Sequence, residues 1–224
     1  MVLTRDSIRS GYVNDMIAQA GLAHEIQSPD QLKSSIASML ETQPTKGPVW
    51  VFGYGSLLWN PAFNFVERRY CRLDGYHRSF CLKTLLGRGT AENPGLMLAL
   101  KESGTCEGIA LQVDPDNLEE ELFILWSREM PMKSYVPAWV PLITKEGAFF
   151  HGVAFLSNPE HPRYLDTISE EESLHLLSTG EGHLGTASEY LYNTVEHLAE
   201  LDIHDPSMSD LAKKLRIHQA NSIT

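Results

Sequence analysis

The sequence predicts an α+β fold: a mixed, barrel-like sheet with helices at both chain ends and one helix crossing in the middle. Three observations predict it. Helical apolar spacing marks the first 48 residues and the final third, short β-forming runs fill most of the stretch between them, and one amphipathic run starting near residue 114 interrupts those strands. The chain accordingly divides into an N-terminal helical extension, residues 1–48, and a main domain, residues 49–224, that closes with C-terminal helices.

Each element has its local reason. Ser28-Pro29-Asp30-Gln31 is a capping box with proline at the first helical position, and Leu32, Ile36, Met39 and Leu40 recur at helical spacing, which predicts a helix over 29–41. After the breaker Lys46-Gly47-Pro48, the run Val49-Trp50-Val51-Phe52 reads as a buried strand that ends in the glycine turn Gly53-Tyr54-Gly55. Further strands are expected over 63–73 with a continuation to about 85, and over 96–101, 106–113, 135–143 and 149–156. Glu102-Ser103-Gly104 and Lys145-Glu146-Gly147 carry hairpin punctuation. Pro137 and Pro141 each remove a ladder donor, which places their strand at an edge or on a bulge. Ser169 and Thr186, each with glutamate three residues on, open the last helices.

Composition narrows the function classes. No apolar run approaches the roughly 20 residues a membrane span needs, and the amino terminus lacks the pattern of a signal peptide, so a soluble, cytoplasmic protein is expected. Three cysteines at unrelated spacings form neither a disulfide framework nor a zinc ligand set, and the nine histidines fall into no metal motif, so neither metal nor cofactor is expected. A formal charge of -11 offers no basic field for nucleic acid or anionic lipid. An anionic substrate must then be held by local donors inside a cleft.

The middle helix carries the sharpest signal. Asp114 caps it, Pro115 occupies its first turn, Leu118, Leu122, Leu125 and Trp126 form its apolar stripe, and Glu119, Glu120, Ser127 and Arg128 take the solvent side. Glu129, eleven positions after Leu118, returns to within about 20° of it. A carboxylate there is either desolvated, which raises its pKa and suits it to proton transfer, or released to water by fraying before Pro131. The glycine turn has two readings as well. Gly53 and Gly55 allow positive φ and close backbone approach, so successive amides could converge on an anion, but a plain tight turn has the same sequence. Ser56 lacks the G-x-S-x-G context of a nucleophile elbow. Arg88, in Gly87-Arg88-Gly89-Thr90, is a candidate fork for a carboxylate.

Together V-W-V-F-G-Y-G-S-L-L-W-N-P (49–61), G-R-G-T-A-E-N-P-G (87–95) and L-W-S-R-E-M (125–130) resemble the ChaC-type glutathione-specific γ-glutamylcyclotransferases, in order from about residue 48 to at least 192. The resemblance implies a γ-glutamylcyclotransferase-like fold, a small mixed β-barrel with flanking helices. It also implies a lyase reaction in which glutathione is cleaved to 5-oxoproline and Cys-Gly without a cofactor. On this sequence it places the γ-glutamyl group against Val51, Phe52, Gly53, Tyr54, Gly55, Ser56 and Leu57, makes Glu129 the catalytic base, and brings Tyr135 and Tyr190 to the pocket. Relatives often carry arginine where this chain has Leu96, which leaves open a cyclotransferase for other γ-glutamyl amines or dipeptides. A non-catalytic γ-glutamyl-binding regulatory protein on the same fold is the remaining alternative.

Overall fold

The computed structural model describes residues 3–221, so residues 1–2 and 222–224 of the two predicted segments lie outside the described residues. Five strands close into a barrel in the order β1-β3-β2-β4-β5: β1 (Trp50–Gly53), β2 (Phe65–Thr84), β3 (Gly95–Val113), β4 (Tyr135–Thr144) and β5 (Phe149–Ser157). Parallel pairings of β5 with β1, at Val51 and Val153, and with β3, at Leu100 and Leu156, close the circle among otherwise antiparallel neighbours. The sheet is therefore mixed, and the predicted fold class stands.

The two predicted strands 96–101 and 106–113 are one. β3 pairs with β2 along nearly its whole length, and the hairpin turn between them lies at residues 85–94. The punctuation at Glu102-Ser103-Gly104 marks a bulge instead of a turn. Asp74 pairs with Thr105 and Tyr76 with Glu102, so Ser103 and Gly104 together face Gly75, and all three take positive φ. The bend there lets the first part of β3 meet β5 while residues 109–112 pair with β1. β4 and β5 form the predicted hairpin around Gly147. β4 pairs with β2 only at Ile143 and Thr144, so the stretch that holds Pro137 and Pro141 has β5 as its one ladder partner among the described residues, where missing N–H groups are tolerated.

Helices wrap this barrel. α1 (Arg5–Arg9), α2 (Tyr12–Gln19) and α3 (Pro29–Glu41) precede it, with Ser28 and Gln31 forming the predicted reciprocal cap on α3. Asp114 caps a short 3-10 turn over Pro115–Asn117, from which α4 (Leu118–Glu129) continues. α5 (Glu170–Thr179), α6 (Ala187–Glu200) and α7 (Pro206–Asn221) complete the fold, with Ser169 and Thr186 accepting from the backbone of Glu172 and Glu189. One continuous core joins these layers, and Phe52, Leu98, Trp126 and Phe155 are each at most 2% exposed within it. Ile8, Val13, Ile17, Leu32 and Ile36 of the N-terminal helices belong to that same core. Among the described residues no helix is long and apolar enough to cross a membrane.

Glu121 ties the N-terminal helices to the rest. Its side chain is fully buried and accepts from Arg5 (2.6 Å), from the Asn64 backbone (2.8 Å) and from Asn64 Nδ2 (3.0 Å). Removing one partner of such a buried pair leaves the other charge uncompensated, which costs about 3–5 kcal/mol at full burial. Arg5 is 26% exposed, so Arg5→Met should lower unfolding free energy by a smaller amount, about 1–3 kcal/mol, measured by urea titration.

Candidate active site

A cavity of about 330 Å³ opens beside α4, within the size range of small-molecule sites. Tyr54, Gly55, Ser56, Leu57, Arg88, Glu129, Tyr135 and Tyr190 all line it. Val51, Phe52 and Gly53 do not. They lie inside β1 with their surfaces buried, because alternate strand residues pack into the barrel core and against flanking helices, and they serve to hold the loop that follows.

Glu129 is the last residue of α4, whose helical hydrogen bonding runs through Met130 N to Trp126 O at 2.8 Å. The helix does not fray before Pro131. The side chain keeps 16% of its area, on the cavity, while Oε1 is buried with no hydrogen-bond partner among the described residues. Arg128 Nε lies 2.9 Å from Oε1, but without the geometry of a hydrogen bond, so the oxygen has a cation beside it and no donor aimed at it. Burial pushes the Glu129 pKa above its ordinary 4.5, and the neighbouring Arg128 charge opposes that push.

The loop after β1 turns into a 3-10 segment over Ser56–Leu58. Leu58 N donates to Gly55 O at 2.8 Å, so the amides of Gly55, Ser56 and Leu57 precede the first carbonyl-bonded turn and have no acceptor within it. Positive φ is not what the glycines provide, contrary to expectation: Gly55 has φ −132°, and Gly53 is also outside the positive-φ set. Space is the reason. A Cβ on Gly55 would stand 2.9 Å from the Tyr190 hydroxyl and 3.2 Å from Leu98 Cδ2, so any side chain collides with the cavity wall.

Two arginines hold this loop in place, and neither was expected to. Arg78 of β2, with 2% of its side chain exposed, donates from Nε to Tyr54 O at 2.7 Å, and also to Glu107 O and to Asp205 Oδ2 at 2.9 Å. Carbonyl and amide point in opposite directions across a trans peptide. Drawing the Tyr54 carbonyl towards Arg78 therefore turns the Gly55 N–H away from Arg78. Arg128, assigned by helical spacing to the solvent side, is 7% exposed instead. It donates to Ser56 Oγ at 2.7 Å and to the carbonyls of Asn60 and Pro61, joining the loop to the helix end that carries Glu129.

The tyrosines are walls more than proton donors. Tyr54 donates to Phe155 O at 2.7 Å and Tyr135 to Leu98 O at 3.0 Å, and burial raises both phenols well above their ordinary range. Tyr190, brought in by α6, is pushed up to about 12, chiefly by burial and then by the Glu129 charge, while contacts with Ser56 pull the other way. Arg88 lines the cavity, and its Nη1 donates to Glu189 Oε2 at 2.6 Å and to Thr186 O at 3.2 Å. Cys71, Cys81 and Cys106 are all buried free thiols, raised to about 12, 11 and 11 by desolvation.

The model of the ChaC-like protein family matches residues 49–218. The chain belongs to the ChaC-like family. This ChaC-like chain is 41% identical over 184 residues to the glutathione-specific gamma-glutamylcyclotransferase of Escherichia coli (strain K12), a match covering 82% of the chain and 80% of that protein. It is 29% identical over 176 residues to glutathione-specific gamma-glutamylcyclotransferase 1 of Danio rerio, covering 76% and 90%. Among solved structures, a selenomethionine-labelled gamma-glutamyl cyclotransferase specific to glutathione from yeast superposes with a TM-score of 0.72 at 17% identity, over 78% of this chain and 98% of that one. That last likeness establishes the ChaC-like fold alone.

A buried carboxyl with a raised pKa has a definite effect on stability. Below 4.5, the unfolded value, Glu129 is protonated whether the chain is folded or not. As pH rises from there through the folded pKa, the unfolded state releases the proton more readily, and stability falls. Glu129→Gln removes this loss. The variant should melt at or slightly above wild type at neutral pH, with the gain disappearing below the unfolded value, as followed by calorimetry across that range.

Proposed function

We propose that the chain cleaves glutathione to 5-oxoproline and Cys-Gly, with Glu129 as general acid and base. The observation that carries this reading is the Glu129 carboxylate, which lines the cavity and has one oxygen buried beside Arg128 without a hydrogen-bond donor, on a helix whose fully buried carboxylate, Glu121, is completely satisfied. A polar atom left in that condition costs roughly 1–3 kcal/mol unless a ligand completes it. The substrate ammonium would complete it.

In this reaction the α-amine of the γ-glutamyl residue attacks its own side-chain amide carbonyl. Glu129 takes a proton from the ammonium, the five-membered ring closes, and the tetrahedral oxygen accepts from the amides of Gly55, Ser56 and Leu57. The carbon–nitrogen bond to cysteine then breaks as the proton held by Glu129 goes to the leaving nitrogen, and the ring nitrogen gives up its second proton through Glu129 to the departing amine, which leaves as an ammonium. No water is consumed and no covalent enzyme intermediate forms. Because the nucleophile is tethered to its target, the protein has chiefly to hold a bent conformer and supply the proton transfers. Desolvation makes the carboxylate more basic than an ordinary glutamate, which suits it to proton transfer, and the neighbouring Arg128 charge moderates that shift. The three unpaired cysteines suit a reducing cytoplasm, and the acidic charge balance argues against a nucleic-acid partner.

Incubation with glutathione followed by mass detection of 5-oxoproline and Cys-Gly is the direct test. Turnover of other γ-glutamyl amines in preference to glutathione would redirect the reading, and absence of any turnover would favour a binding protein. Glu129→Gln should lower kcat by about 10² to 10⁴ while glutathione still binds. In the wild type kcat should decline as pH falls through the raised Glu129 pKa, because the base is lost on protonation. Ser56→Ala should keep substantial activity, since the loop acts through its backbone. Gly55→Val should abolish it, because the added side chain meets the Tyr190 hydroxyl. Equal loss in both variants, with a trapped acyl-serine, would point to hydrolase chemistry.

A further inference from the structure

Four residues in the cavity wall come from outside the region matched by the family model: Leu3, Val13, Met16 and Ile17. All four are apolar, and Val13, Met16 and Ile17 are at most 5% exposed. The segment that carries them is fastened to the site at several points. Arg5 pairs with Glu121 at 2.6 Å, Asn60 Nδ2 donates to Leu3 O at 2.8 Å, and Arg163, another cavity residue, donates from Nη1 and Nη2 to the Glu25 carboxylate. Gln27 donates from its backbone to Pro131 O at 2.8 Å and from its side chain to Met130 O, the two residues that directly follow Glu129. The N-terminal helices are thus built into the wall of the cavity and into the seat of its carboxylate.

An aliphatic wall limits what can lie on it. Glutathione is mostly ammonium, carboxylate and amide, groups that lose water without recovering a partner when pressed against Leu, Val, Met and Ile side chains. Its γ-glutamyl methylenes enter the ring that forms at Glu129. The one free apolar group is the thiol-bearing side chain of the leaving Cys-Gly, and a thioether such as that of Met16 is a soft, adaptable surface for it. Resting on the glutathione reading above, we propose that the N-terminal segment, through Met16, Val13, Ile17 and Leu3, forms the pocket for the cysteinyl side chain and sets which S-substituents the enzyme accepts.

The test compares kcat/KM for glutathione and for S-butylglutathione in the full-length wild type and in Met16→Ala, with thermal melting to verify folding. Trimming methionine opens room that the butyl group can fill, and a pocket discriminates by roughly tenfold or more for each methylene that fits or clashes. The ratio of the two kcat/KM values should move at least about tenfold towards S-butylglutathione. Val13→Ala, a smaller truncation of the same wall, should move the ratio in the same direction by less, and it decides the matter should Met16→Ala fail to fold. A folded variant that loses activity on both substrates in equal proportion, or that leaves the ratio unchanged, overturns the inference. A wild type that does not turn over glutathione at all counts against the functional reading instead.

Discussion

The constraint on which the rest of this structure depends is a carboxylate kept inside a protein core with one oxygen free of hydrogen-bond donors. Water would satisfy Glu129 if the end of α4 could tilt or fray, so the helix has to be held at both ends. Glu121, two turns earlier, is anchored by Arg5 and Asn64. Trp126 is fully buried against Phe155, with ring centroids 5.2 Å apart. Gln27 then takes the carbonyls of Met130 and Pro131, so the chain leaving the helix is pinned as well. Hydrophobic packing and two satisfied polar clusters together hold one polar atom in an unsatisfied state.

The opposite wall solves a different problem, that of aiming backbone amides. A loop of this length has many conformations of similar energy, and the barrel selects one through its carbonyls. Arg78 holds the Tyr54 carbonyl, while Arg128 holds those of Asn60 and Pro61 together with the Ser56 hydroxyl. The loop that carries the amides of residues 55–57 is thereby fixed in the cavity wall. Both guanidinium groups are buried, and Asp205 and Glu129 are the acids beside them. One of these two acids is the proposed base, so the cation that positions the loop also tunes the group that would act on the substrate.

The N-terminal helices extend the same logic beyond the barrel. Their apolar residues are continuous with the core, and some of that surface faces the cavity. That part of the wall offers bound groups no side-chain donor or acceptor, so it favours apolar surface over charge.

The sequence alone determined what depends on neighbours within a few positions. The capping box at Ser28, the stop at Lys46-Gly47-Pro48, the edge character imposed by Pro137 and Pro141, and the apolar stripe of α4 with Glu129 on it are all local, and each appears where its spacing requires. Spacing could equally have singled out Glu121, which lies three residues after Leu118 and four before Leu125 on that stripe. What it could not supply was the difference between the two carboxylates, because Arg5 and Asn64 reach Glu121 across more than fifty residues of chain. Tertiary structure likewise decided that Ser103 and Gly104 bulge instead of turning, since their partner strand continues past them, and that Gly55 is needed for room beside Tyr190 and not for its dihedral angle. It decided too that Arg128, on a helix face that reads as exposed, is covered by the loop it holds. A pattern along the chain records which face of an element is apolar, but the partner that comes to lie on that face is set by closure of the barrel.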